Sequence, residues 1–242
     1  MISATTLEVA GVIFLATFVR ATLGFGEALM AVPVLALIIP IQVAAPVAVL
    51  ISISVAAVIL LQDWRHVHVR SASWLILATL VGTPLGLLLL TRVPGNAVKA
   101  CLGVLILAFA LYGLVRRELG VLKDDRLAWA FGFSAGVLGG AYGMNGPPLV
   151  IYGALRGWSA QRFRATLQGY FLIASMMAMA GYGLSGLWTA GVTHYYLVSL
   201  PGVAIAMVLG RLAVARMNAR VFMRWVNAAL IVIALILIAE SV

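Results

Sequence analysis

Four stretches of this chain hold no charged residue: Ala28–Gln62, Ser71–Thr91, Leu127–Leu155 and Ala165–Thr193. A helix crosses the hydrocarbon core of a bilayer with about 20 apolar residues, so each stretch is long enough. Backbone groups in lipid must pair among themselves, which leaves helices or closed barrels. A barrel would show short alternating segments, and these runs do not alternate. The expected fold class is therefore an all-α polytopic membrane protein. A mean hydropathy of +1.13 leaves little chain for a soluble domain.

The net charge of +9 does not indicate a nucleic-acid partner. The basic residues lie between apolar runs, where they encode membrane topology. The single cysteine, Cys101, cannot form an internal disulfide and reads as a small packing residue. The first dozen residues lack a basic region and carry Glu8, unlike a secretory signal.

Two apolar segments are interrupted. The first, 5–39, is broken by "RATLGFGE"; the second, 127–155, is broken at 141–146 within "GGAYGMNGPPLV". Uninterrupted spans are expected at 41–62, 71–91 and 99–115, then at 165–187, 194–210 and 221–239. The chain thus divides into an N-terminal repeat (1–115), a cytoplasmic linker (116–126) and a C-terminal repeat (127–242). Gly24 aligns with Gly143 and Gln42 with Gln161 at an offset of 119. Trp64 aligns with Trp188, Gly86 with Gly210 and Arg92 with Arg216 at 124. Weak internal symmetry of this kind is typical of secondary transporters.

Charge counting orients the halves. If all eight segments crossed, with the N-terminus inside, six basic residues would lie inside and nine outside, against the positive-inside rule. If each broken segment instead enters, breaks near the midplane and returns, thirteen lie inside. Only Arg92 and Lys99 then lie outside, and Arg20 stays in the membrane. Each half becomes one glycine-broken re-entrant hairpin plus three transmembrane helices. Three is odd, so the halves form an inverted repeat with both termini outside.

Irregular backbone at membrane depth is tolerated where protein buries it or where it lines a cavity. Each break exposes the N-terminus of a second half-helix, one near Glu27 and one near Pro147. Such termini carry about half a positive charge and attract anions. A small oxyanion between them is the expected ligand. The candidate substrate-binding residues are Gly24, Phe25, Gly26, Glu27, Tyr142, Gly143, Met144, Asn145, Gly146, Pro147, Arg20 and Gln168. Arg20 and Glu27 are costly so deep in a membrane. They read either as functional groups or as a structural pair across the Gly24–Gly26 turn. A protonated Glu27 could donate a hydrogen bond or carry a coupling proton. Glycines spaced by four, Gly82 with Gly86 and Gly132 with Gly136, are expected to serve close helix packing.

Two motifs invite other chemistry. "GLSG" (183–186) with His194 resembles the serine motif of intramembrane proteases, but the histidine falls in an outer loop. "HVH" (66–68) has only Asp63 beside it and reads as an interfacial loop rather than a metal site. No catalytic residue, metal or cofactor is assigned. The phosphate-binding pattern GxxxxGK[ST] is absent, which argues against direct ATP drive.

"ATLGFGEALMAVPVLALIIP" (21–40) and "GVLGGAYGMNGPPLVIYGAL" (136–155) resemble the TauE/SafE family of membrane proteins, known as sulfite exporters. The resemblance covers the whole chain. It implies a secondary transporter of sulfite or a related sulfur oxyanion or organosulfonate. Where many relatives have a further glycine after the first "GFG", this chain has Glu27. The expected setting is a cell membrane, a bacterial inner membrane, with the lipid bilayer and a small anion as partners. Protons are a candidate coupling ion, and homo-oligomer formation is left open. The competing readings are a passive anion channel and a membrane subunit of a larger complex.

Overall fold

The computed structural model describes residues 3–115, 122, 125–214 and 219–241. The expected linker at 116–126 lies outside the described residues except for Leu122, Asp125 and Arg126, and Arg216 lies outside them too. Among the described residues the regular structure is helical: α1 (Ala4–Leu23), α2 (Glu27–Ile38), α3 (Ile41–Asp63), α4 (Val69–Arg92), α5 (Gly95–Val115), α6 (Ala128–Tyr142), α7 (Gly146–Leu155), α8 (Ala160–Leu184), α9 (Ala190–Val214) and α10 (Ala219–Ser241), with one 3₁₀ turn at Trp64–His66. Seven of these, all but α2, α6 and α7, are long and apolar enough to cross a membrane. The chain is therefore a multi-pass membrane protein.

The two breaks have the same backbone cause. α1 stops at Gly24 (φ 84°), whose N–H donates to Arg20 O; α6 stops at Gly143 (φ 65°), whose N–H donates to Gly139 O. Both glycines are left-handed, a conformation that costs an L side chain about 1–2 kcal/mol. After each break a short helix begins, α2 at Glu27 and α7 at Gly146. Pro147 and Pro148 fit the first turn of α7 because no intrahelical bond needs their missing N–H.

Equivalent positions recur at the expected spacing. α2 and α7 start 119 residues apart, and so do α3 and α8. Exchanging α1–α5 for α6–α10 also exchanges the main contacts. α4 packs along α6 as α9 packs along α1; α4 meets α8 as α9 meets α3; α3 pairs with α8 and α5 with α10. A Cβ on Gly86 would meet Val137 O at 2.0 Å, and one on Gly210 would meet Phe18 O at 3.0 Å. Phe18 and Val137 are themselves 119 apart.

The paired counterparts run antiparallel. Gly103 abuts Ile238 while Gly113 abuts Asn227. On the other pair, Gly169 abuts Leu60 while Ser175 bonds Ser52 at 3.2 Å. By contrast, α4 and α6 run parallel along a seam of glycines. A Cβ on Gly82, Gly132, Gly136 or Gly140 would come within 2.2–2.6 Å of a backbone carbonyl oxygen of the other helix. Small residues let helices approach this closely in lipid, where dispersion and not water drives association.

Several details differ from the sequence reading. The span expected from 194 begins at Ala190, so His194, expected in an outer loop, lies inside α9. The helix expected to stop at residue 19 runs on to Leu23 and carries Arg20 inside it. The span expected from 165 begins at Ala160, capped by Ser159, whose Oγ accepts from Arg162 N.

Candidate functional site

Arg20 is 2% exposed and Glu27 3%, an ion pair closed off from both water and lipid. Its geometry follows from the first break. Arg20 sits one turn before the end of α1, Glu27 is the first residue of α2, and the Gly24–Gly26 turn folds one onto the other. Arg20 Nη1 donates to Glu27 Oε2 and, at 2.9 Å, to Ser52 Oγ. Its Nη2 donates to Gln168 Oε1 at 2.6 Å. Thr17 Oγ1 donates to Glu27 Oε1 at 3.1 Å. The guanidinium also lies 5.1 Å from the centroid of the Phe171 ring. Four helices thus meet on one cation: α1, α2, α3 through Ser52, and α8 through Gln168.

Breaking such a buried pair from one side costs about 3–5 kcal/mol, because the remaining charge is stranded. Arg20 and Glu27 are both functional candidates and structural partners of one another. Glu27 also stands at the N-terminus of α2, where a carboxylate is favoured by the helix dipole.

Beside the pair lies a cavity that both breaks line. The first break contributes Arg20, Phe25, Gly26 and Glu27; the second contributes Gly143, Met144, Asn145, Gly146 and Pro147. Ser52 and Phe171 close it from α3 and α8. The centre of a water-sized sphere finds about 20 Å³ of room there, enough for one or two waters. Two buried donors at this place have no hydrogen-bond partner, Arg20 Nε and Asn145 Nδ2.

The structure thus brings nine of the twelve sequence candidates to one cavity. Gln168 and Gly24 stand behind it: Gln168 bridges Arg20 and, through Nε2, the carbonyl of Gly24 at 2.8 Å. Tyr142 turns away, its hydroxyl donating to Val98 O at 3.1 Å on α5. Sequence reasoning missed Thr17, Ser52 and Phe171. Ser52 offered a signal, a hydroxyl at the centre of the apolar run 41–62; the other two become visible only when helices pack.

A second polar cluster lies at the far end of the second hairpin. Asp125 Oδ1 accepts from Tyr152 Oη at 2.6 Å and from Ser71 Oγ at 2.8 Å, and pairs with Arg156 Nε at 3.4 Å. Arg156 Nη1 also donates to Leu122 O at 2.9 Å. Burial pushes the Asp125 carboxyl up, but the Tyr152 and Ser71 hydroxyls and the Arg156 charge outweigh it and hold the group below its ordinary value. Nearby, His68 of the "HVH" motif serves structure: its Nδ1 accepts from Ser71 N at 3.3 Å and caps α4, and its ring lies 6.0 Å from that of Trp158. Ser185 and His194 of the other motif are both exposed.

The family model described as "Sulfite exporter TauE/SafE" matches residues 9–237. A Cupriavidus necator protein named "Probable sulfite/organosulfonate exporter TauE" is 25% identical over 202 residues, covering 81% of this chain and 78% of that protein. No solved structure matches the chain.

Proposed function

The chain belongs to the sulfite exporter TauE/SafE family, and we propose that it is a secondary carrier of a small anion, sulfite or a related sulfur oxyanion or organosulfonate. The anion binds at the cavity between the two breaks, against Arg20, Asn145 and the N-terminal turns of α2 and α7. One observation carries this reading: a fully buried arginine faces a cavity lined by both breaks. A charge at that depth costs several kcal/mol unless it is paired or used. The substrate class comes from the family and from the named relative.

The antiparallel pairing of counterpart helices supports an inverted repeat of residues 1–115 and 127–242. Each half then supplies one re-entrant hairpin and three spans, and both termini lie outside. The entering arm of the first hairpin, α1, has 20 residues and reaches well past a half-span. A cavity this tight suits a site that opens alternately to the two faces, not a standing pore.

Flux in proteoliposomes tests the reading, with sulfite, sulfate, thiosulfate and small sulfonates offered in turn. Saturable uptake with counter-transport is expected. Absence of flux for every anion removes the central claim, and large unitary currents replace the carrier with a channel. A C-terminal epitope tag found in the cytoplasm overturns the topology.

A further inference from the structure

We propose that Glu27 is a tethered competitor for the anion and that each substrate anion therefore binds together with one proton, taken up by Glu27. This rests on the carrier reading above and specifies its coupling ion.

The donors of Arg20 set the argument. Nη1 is engaged by Glu27 and Ser52, Nη2 by Gln168, and only Nε has no partner. An oxyanion that takes parallel bonds from the two terminal nitrogens, Nη1 and Nη2, one of the strong geometries for such a pair, displaces the carboxylate of Glu27 from Nη1. Glu27 and substrate are alternative ligands of one cation.

Charge counting gives the consequence. Among the described residues no other ionisable side chain lines the cavity. Glu27 faces Arg20 and Thr17 from α1, and the Arg20 network extends to Ser52 on α3 and Gln168 on α8. Of the five residues that line it from the second break, Asn145 is the one with a polar side chain, and it is neutral. α5 and α10 also pack on α2, and their residues in the buried cluster shared with α2, among them Leu102, Ile106, Leu230 and Ala234, are apolar. Two cations lie further off: the stem of Arg164 lies over Gly24, and Lys99 sits at the opposite end of α2. The resting pair is neutral. A bound monoanion would leave Glu27 without its cation in a buried place, an expensive state. A proton on Glu27 restores neutrality, with the hydroxyl of Thr17 within reach to accept from it. Helix dipoles assist the anion, but they give the displaced carboxylate no new partner. The balance is one anion onto Arg20 and one proton onto Glu27, with no bond broken and no electron moved. A singly charged oxyanion matches the site; a dianion leaves it one negative charge in excess.

The test uses methanesulfonate, which stays a monoanion throughout the range, bound to the purified full chain in detergent. Calorimetry in buffers of different ionisation heats counts the protons. About one proton is expected per anion, and the affinity should fall as pH rises. Glu27→Gln should bind with no proton uptake and no pH slope. Wild-type binding without proton uptake, or a Glu27→Gln variant with the wild-type slope, overturns the proposal while leaving the carrier intact. No binding and no flux for any anion overturns both. The wild-type proton count stands even if the variant fails to fold.

Discussion

At the first break the chain turns between Arg20 and Glu27; at the second it turns between Gly139 and Gly146, the same positions 119 residues on. The backbones end each arm alike, on the left-handed Gly24 and Gly143, and then part: Gly26 has φ 97°, its equivalent Asn145 φ −83°. The side chains differ too. A Cβ on Gly139 would stand 2.5 Å from Asn145 Nδ2, so the second half has a neutral amide beside the place where the first half has its arginine. At the rims the arrangement reverses. The second hairpin ends in Tyr152 and Arg156, bound to Asp125; the equivalent positions of the first are Pro33 and Leu37. One hairpin is charged at its centre and apolar at its rim, the other neutral at its centre and charged at its rim. On the proposed inverted repeat, the two halves share a frame, and the charge of the proposed site falls in one of them.

The largest expected effect tests that division directly. Arg20→Gln should lower sulfite flux by at least about thirtyfold, since truncating one partner of a buried charge pair costs roughly 2–5 kcal/mol. Asn145→Ala, at the neutral break, should lower it by about tenfold, the worth of one hydrogen bond. Equal losses in a proteoliposome assay would mean that the two breaks share the anion evenly, and the comparison would fail.

Next in size are the hinges. Gly143→Ala places a Cβ 2.7 Å from Val49 Cγ2 and 3.1 Å from Ala45 O, whereas Gly24→Ala meets only the flexible stem of Arg164 at 3.2 Å. Both variants bear the strain of a positive φ, about 1–2 kcal/mol. Gly143→Ala should therefore lower the unfolding temperature in detergent more than Gly24→Ala does. The reverse order would place the rigid hinge in the charged half.

The smallest effect belongs to the rim. Asp125 titrates below its ordinary value, so its stabilising contribution is complete above the unfolded value and is lost as pH falls through the folded one. Asp125→Asn should remove that acid-side loss and cost about 1 kcal/mol at neutral pH. Melting curves of the two proteins from acid to neutral pH show it. A variant whose acid sensitivity matches the wild type would leave the second hairpin without its anchor.

Much of this was legible in the sequence because glycine, proline and charge act locally. Gly24 and Gly143 announced both breaks, and Gly86 and Gly210, aligned by number alone, occupy equivalent seams. The length of α1 was not legible. A charge at residue 20 reads as a helix end when its partner is unseen; bonded to Glu27 it sits inside the helix. The direction of Tyr142 was not legible either, because a side chain beside a break can face any of several neighbours. The linker at 116–126 lies largely outside the described residues.

The glycine seams have one more consequence. α6 of the second half is fitted without slack along α4 of the first, and α1 of the first half lies along α9 of the second. The chain is cross-woven: each hairpin's entering arm is fastened to the opposite half. If the proposed carrier works by alternating access, the bodies that shift are therefore assembled from both proposed halves, and neither half expressed alone should contain a complete one.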